Sequence, residues 1–192
     1  NQGGPGVALE WRTNNGSGSF SSPYAFGRAV AFSSSSFGDL DGDGDLDLIV
    51  SGRTNCCSGS NFVDRYVNDG FGGFSGPFSV ASASGLTSLG DIDGDGDLDL
   101  IASVWGTSRF MNDGTGIFTG PTAFGGFAES GSLVDADNDG DLDFFSISRD
   151  SFVTNRLALY VNPGSGGYSF SSRTTFGVGL RNSASAAGDI NG

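Results

Sequence analysis

The residues best suited to chemistry are five aspartates packed into nine positions, Asp39-Leu40-Asp41-Gly42-Asp43-Gly44-Asp45-Leu46-Asp47. The same spacing returns at Asp91, Asp93, Asp95, Asp97 and Asp99, and again at Asp135, Asp137, Asp139, Asp141 and Asp143. Carboxylates at alternate positions of a short loop repel one another unless a cation lies between them. The donors are all oxygen, with no histidine or thiolate in the loop, which selects a hard cation. The flexible, high coordination number of Ca²⁺ fits this set best. Asp39, Asp41, Asp43 and Asp47 are assigned as side-chain ligands, and Asp45 as a backbone-carbonyl ligand with its side chain outward. Gly44 supplies the sharp turn that brings Asp47 back to the ion. By the same phase, Asp91, Asp93, Asp95 and Asp99 serve the second loop, with Asp97 by its carbonyl and Gly96 as the turn. Asp135, Asp137, Asp139 and Asp143 serve the third, with Asp141 by its carbonyl and Gly140 as the turn. The motif opens a fourth time as Gly188-Asp189-Ile190-Asn191-Gly192, which puts Asp189 and Asn191 at the first two ligand positions.

A solvated acidic turn that binds nothing could account for one copy; three copies in one phase argue against it. An EF-hand loop starts similarly, but it needs a bidentate Glu at its twelfth position and a helix on either side. The twelfth positions here are Val50, Ala102 and Ser146. Each loop runs directly into a short apolar stretch, Leu48-Ile49-Val50, Leu100-Ile101-Ala102 or Phe144-Phe145, which reads as a buried strand. The EF-hand reading fails.

The pattern Asp-x-Asp-x-Asp-Gly-x-x-Asp, opening such a strand and followed by an Asn-Asp-Gly turn, resembles the FG-GAP/VCBS repeat family. That family includes the calcium-binding blades of integrin α-subunit propellers and related bacterial and fungal propeller proteins, some of them lectins. The resemblance covers nearly the whole chain. It implies a β-propeller with calcium in a hairpin loop of each blade, and leaves the bound partner open.

The elements that must position these loops also repeat. Asn14-Asn15-Gly16, Asn68-Asp69-Gly70 and Asn112-Asp113-Gly114 read as tight hairpin turns, with a looser copy at Asn162-Pro163-Gly164. Loops starting at 39, 91, 135 and 189 alternate with turns starting at 14, 68, 112 and 162. Such self-similarity, with about four short strands per unit, is the signature of propeller blades. The fold class expected is all-β, with blades of four antiparallel strands: three complete repeats and a partial blade at each end. Boundaries fall at 1–26 (partial), 27–80, 81–125, 126–176 and 177–192 (partial). Within one unit the strands are placed at 84–91, 98–104, 108–112 and 118–124, and the chain's first strand at 7–13. The longer units carry insertions at 52–61 and 148–155, surface segments that could serve recognition. Three complete units are fewer than the four to eight or so blades that close a ring. The chain is therefore expected to be a segment of a longer one, or to close a ring by head-to-tail association with copies of itself.

The net charge of −13 comes mostly from the loops, which hold 15 of the 22 acidic residues. With no lysine and nine scattered arginines, nucleic acid is not expected as a partner. No apolar run approaches the length of a membrane span. The only cysteines, Cys56 and Cys57, are adjacent in a Ser/Gly-rich loop. A vicinal disulfide, pairing with other chains and a reduced state all remain open to them. The absence of histidine and lysine removes the commonest general base and Schiff-base chemistry, so the chain is not expected to be an enzyme. Trp11 and Trp105 are candidate platforms for sugar rings, and Asn15-Gly16-Ser17 fits a glycosylation sequon. The expectation is a calcium-stabilised extracellular or cell-surface repeat protein acting in adhesion, recognition or assembly. Its partner would be a protein or carbohydrate ligand, or further copies of itself. A lectin propeller and a structural subunit of a filament or sheath are the alternatives.

Overall fold

The structure is a computed structural model that describes residues 7–54, 59–104, 106–151, 154–164 and 172–180. Cys56, Cys57, Trp105, Asp189 and Asn191 lie outside the described residues. Among those described the protein is all-β, with thirteen strands and no helix. No helix, therefore, is long and apolar enough to cross a membrane. The strands are β1 (Val7–Trp11), β2 (Tyr24–Gly38), β3 (Asp47–Arg53), β4 (Asn61–Asn68), β5 (Phe74–Ala81), β6 (Thr87–Gly90) and β7 (Asp99–Ser103). They continue as β8 (Thr107–Asn112), β9 (Phe118–Gly125), β10 (Phe127–Val134), β11 (Asp143–Ser151), β12 (Thr154–Val161) and β13 (Ser172–Leu180). They form three antiparallel meanders: β1 to β5, β6 to β9 and β10 to β13. The described residues do not close these sheets into a ring.

Each acidic loop joins the first two strands of a repeat, and each Asn-Gly-type turn joins the last two. β3 is buried from Asp47 to Gly52 and β7 along its whole length, and their central Leu48-Ile49-Val50 and Leu100-Ile101-Ala102 are apolar because both faces are covered. Leu48 and Val50 of β3 pack with Phe62 and Tyr66, while Ile49 points the other way, into the cluster shared with Leu100, Ala102 and Phe110 of the second sheet. One strand further round, Ile101 packs with Ala128, Phe144 and Tyr160 of the third sheet. A fully buried Ile, Leu or Phe contributes about 1.5–3 kcal/mol, against about 1 kcal/mol for a net hydrogen bond. Apolar burial therefore holds the sheets together, and hydroxyls set their register. Ser51 Oγ donates to the Gly85 carbonyl, and Ser103 Oγ donates to the Ala128 carbonyl at 2.8 Å.

Glycines at one position allow close approach between sheets. A methyl at Gly38 would stand 2.6 Å from Leu98 Cδ1 and 3.2 Å from Leu89 Cδ1. One at Gly90 would stand 2.7 Å from Leu133 Cδ1 and 2.9 Å from Leu142 Cδ1. In each case the leucines belong to the following sheet.

Three sequence expectations are adjusted. The strand placed at 84–91 shrinks to Thr87–Gly90, because Gly85 turns to φ +127°, outside regular extended geometry. The first strand ends at Trp11, not at residue 13. The 148–155 insertion is a longer hairpin arm and not a free loop, since Arg149 pairs with Asn155 and Ser151 with Thr154. β2 runs unbroken across residues 26 and 27, where a repeat boundary was placed. Its first half pairs with β1, Trp11 opposite Tyr24; its second half pairs with β3, Gly38 opposite Asp47. It thus joins the outer strand of one repeat to the inner strand of the next.

Asp64 of β4 is fully buried and ion-paired with Arg28 of β2, Oδ2 to Nε at 2.7 Å. Burial pushes its carboxyl pKa up and the guanidinium opposes that shift.

Candidate metal centres

Each acidic loop coils around its first aspartate. Asp39 accepts the Gly42 amide on Oδ1 at 2.8 Å and the Gly44 amide on Oδ2 at 3.0 Å. Asp91 does the same with Gly94 and Gly96, at 2.7 and 3.0 Å. Asp135 holds Asn138 and Gly140, at 2.8 and 3.1 Å. The loop position filled by Gly42 and Gly94 is left-handed, with φ of 75° and 78°, and Asn138 takes it at 63° in the third loop. Asparagine is among the few residues with a Cβ that tolerate this conformation.

The coil brings carboxylates together. One oxygen each from Asp39, Asp41 and Asp43 lies within 4.8 Å of the others, as do oxygens of Asp91, Asp93 and Asp99, and of Asp135, Asp137 and Asp143. Every loop thus gathers three of the four side chains assigned from sequence. The fourth is Asp47 in the first loop, Asp95 in the second and Asp139 in the third. The side chains of Asp45, Asp97 and Asp141 stand apart, against the glycine of the following turn. A methyl at Gly114 would lie 2.5 Å from Asp97 Oδ2, and Gly70 and Gly164 meet Asp45 and Asp141 more closely still. Gly114 also has φ +77°. Gly114→Ala is expected to cost about 2 kcal/mol, from the left-handed penalty plus displacement of Asp97; a melting temperature equal to that of the parent chain would contradict this.

Asp47, Asp99 and Asp143 are buried completely. Their Oδ1 atoms accept the amides of Asn68, Asn112 and Asn162, at 2.8, 2.8 and 2.7 Å. Asp99 and Asp143 also accept the Ile92 and Ala136 amides of their own loops at 3.0 Å. Asp47 Oδ2 and Asp41 Oδ1 are buried acceptors with no hydrogen-bond partner. Buried acceptors without donors are costly, and an all-oxygen set with spare lone pairs suits a hard cation. The residues fit the group.

Electrostatics point the same way. Burial raises the Asp99 pKa to about 6, opposed by the two amides it accepts and reinforced by Asp93 and Asp95. Burial likewise raises Asp47 and Asp93. A folded-state pKa above the unfolded value of 3.8 means the contribution to stability is complete below that value and is lost as pH rises through about 6. In EDTA the protein is therefore expected to melt higher at pH 5 than at pH 7.5. Asp99 accounts for about 1.4 kcal/mol of this, its pKa lying about one pH unit above the lower of the two conditions. Asp99→Asn should flatten the profile, and a cation-free protein that melts lower at pH 5 would refute it.

Sequence reasoning treated the Asn-Asp-Gly stretches as turn chemistry alone. The structure gives their first residue more to do. Asn112 Nδ2 donates to the Leu98 carbonyl at 3.2 Å and, across the sheet boundary, to the Leu40 carbonyl of the first loop at 2.9 Å. Asn162 Nδ2 repeats this on Leu142 at 3.4 Å and on Ile92 of the second loop at 2.9 Å. The signal was the recurrence of Asn at 68, 112 and 162, since the positive φ falls instead on Gly70, Gly114 and Gly164.

Outside the loops, three of the acids are occupied locally. Asp69 and Asp113 cap their own turns, through Gly73 N at 2.8 Å and Thr115 N at 3.0 Å, and Asp64 is paired with Arg28. A cavity of about 460 Å³ lies where β2, β6 and β10 meet; among the described residues its lining is serine, threonine, glycine and Leu86, with Glu129 the one carboxylate. Trp11, a candidate sugar platform, packs against Tyr24 and over Gly72. The Asn15 side-chain oxygen of the sequon accepts from Ser17 and Ser19 within its turn.

No curated protein and no solved structure matches the chain. A profile of the FG-GAP-like repeat matches residues 2–50 and 135–192, more than half of the sequence. The unmatched middle carries the second loop with the same coil and the same clip from Asp99 to the turn. Given that match and the geometry repeated around it, this chain is a member of the FG-GAP-like repeat family.

Proposed function

We propose that the three loops hold Ca²⁺ and that the chain is part of an extracellular β-propeller acting in adhesion or recognition. Asp39, Asp41, Asp43 and Asp47 would hold one ion. Asp91, Asp93, Asp95 and Asp99 would hold the second, and Asp135, Asp137, Asp139 and Asp143 the third. The role of the cation is structural: it neutralises carboxylates that burial and mutual repulsion otherwise penalise. The observation that carries this reading is the all-oxygen cluster repeated in each sheet, each loop ending on a fully buried aspartate, with acceptors in the first loop that no described residue satisfies. Family membership supports the propeller arrangement, and so does the stacking of successive sheets face to face through shared apolar clusters. The partner class rests on the chemistry at hand, a protein or carbohydrate surface outside the cell, where calcium is abundant.

Native mass spectrometry with and without EDTA tests the metal reading. The expected result is at least three Ca²⁺ per chain, lost on chelation; a chain that takes up none would end it. Glycan and protein arrays test recognition. Saturable binding would support it, and silence on both from a well-folded, calcium-loaded protein would favour a role in assembly.

A further inference from the structure

The Asn-Gly-type turns share one capping device, and the first of them carries an exchange in it. Asp69 Oδ1 accepts the Phe71 and Gly73 amides, at 2.9 and 2.8 Å. Asp113 Oδ1 accepts the Thr115 amide, the Thr115 hydroxyl and the Ile117 amide, at 3.0, 2.6 and 3.3 Å. These bonds hold both carboxyls below the usual carboxylate range, the Gly73 amide foremost for Asp69 and the Thr115 hydroxyl for Asp113. In the first turn the same position is Asn15. Its Oδ1 takes the matching partners, the Ser17 amide, the Ser17 hydroxyl and the Ser19 amide, at 3.0, 2.8 and 3.2 Å.

A charged acceptor makes the stronger cap, so asparagine is not the better choice for the turn itself. What it adds is Nδ2. The cap uses only the oxygen, and among the described residues no hydrogen bond involves Asn15 Nδ2. The turn is exposed from Thr13 to Ser19. Room differs as well. A methyl at Gly70 or Gly114 would meet Asp45 or Asp97, and one at Gly72 or Gly116 would meet Trp11 or Arg65. At Gly16 and Gly18, the matching positions of the first turn, it would meet nothing within 4 Å among the described residues. Asn15-Gly16-Ser17 is also the one Asn-x-Ser/Thr sequon in the 192 residues.

We infer that Asn15 is an N-glycan attachment site, where the turn carries an oligosaccharide without loss to the fold. The inference rests on the extracellular reading, because the transfer takes place on the secretory route. The donor class is an oligosaccharide linked to a lipid diphosphate. Nδ2 forms the bond to the anomeric carbon, and the bond from that carbon to the diphosphate oxygen breaks. The lipid diphosphate leaves with the electron pair, and one Nδ2 proton passes to base. The product is still an amide, so Oδ1 keeps its three donors and the cap survives the modification. A bulky, solvated sugar then stands on an open surface turn.

The test is expression of the full 192-residue chain behind a supplied signal peptide in a eukaryotic secretory cell. Intact mass is read before and after enzymatic removal of N-glycans. Because the leader is supplied, failure would strike this site and leave the chain's natural location untouched. The expected result is a single glycan on most secreted molecules, absent from Ser17→Ala and Asn15→Gln and kept in Ser17→Thr. Asn15→Asp keeps the cap and cannot carry the glycan, so it should be secreted and melt within about 2 °C of the glycosylated parent. A secreted Asn15→Asp chain beside a parent of unmodified mass would overturn the inference. So would a glycan whose presence lowers Tm by several degrees, since the turn would then lack the room assigned to it. Translation into microsomes reports the transfer as a size shift even where secretion is poor, and no shift there would count against the site equally.

Discussion

Chelation with EDTA at neutral pH is expected to lower the melting temperature on the order of 20 °C. A ligand that binds only the folded state, at a hundred times its Kd, stabilises by about 2.7 kcal/mol per site. Three such sites in one cooperative unit reach about 8 kcal/mol, and a chain of this size loses about 2–4 °C per kcal/mol. The sites act on one unit because each loop is tied to its neighbours. Asp99 holds the Asn112 amide, and the Asn112 side chain holds the first loop. Restoring Ca²⁺ should restore the transition, and Mg²⁺ should do so poorly, since it demands tighter octahedral geometry. Asp91→Ala should remove roughly a third of the calcium-dependent shift and also loosen the coil that Gly94 and Gly96 complete. A melting temperature indifferent to EDTA would show that the aspartates are tolerated without a cation.

The loops were legible in the sequence because their chemistry is local. Alternating carboxylates, a glycine at the turn and an apolar run fix the coil and the strand within a dozen residues. The strand count per repeat was legible for the same reason, since Gly70 and Gly114 mark hairpins without tertiary help. What escaped were relations across the sheet boundary. Asn112 looks like an ordinary turn residue until the carbonyl of Leu40, far off in sequence, is found beside its Nδ2. Likewise Gly38 looks like a strand breaker until Leu98 is seen to occupy the space of its absent side chain. The continuous β2 was also illegible. Gly27 takes φ +66° beneath Tyr66, and the strand carries on through it. In the first two cases the deciding atom belongs to another repeat, and in the third it lies far along the chain, where no local pattern encodes it.

The turn asparagine yields the second large effect. Asn112 is 6% exposed and makes contacts in four directions. Its amide binds Asp99, its Nδ2 serves Leu40 and Leu98, and its Oδ1 accepts the Gly116 amide at 3.0 Å. Asn112→Ala keeps the first and strands the other three partners in a buried place. At about 1–3 kcal/mol per unsatisfied group, partly relieved by entering water, the loss should be about 4 kcal/mol, or roughly 10 °C. Asn112→Asp is the sharper test because it conserves shape. It keeps the acceptor for Gly116 but turns a carboxylate oxygen toward two carbonyls, near Asp99, so it should cost at least as much as alanine. Asn68→Ala should cost less, since among the described residues Asn68 Nδ2 reaches Leu46 of its own loop and makes no bond to a neighbouring loop such as Asn112 and Asn162 make. This ranking, aspartate at least equal to alanine at 112 and both above alanine at 68, should hold with calcium and without it. If Asn112→Ala instead melted within about 1 kcal/mol of the parent, the bridge between loops would be a consequence of packing and not a cause of it. Chelation would then unfold the loops one by one.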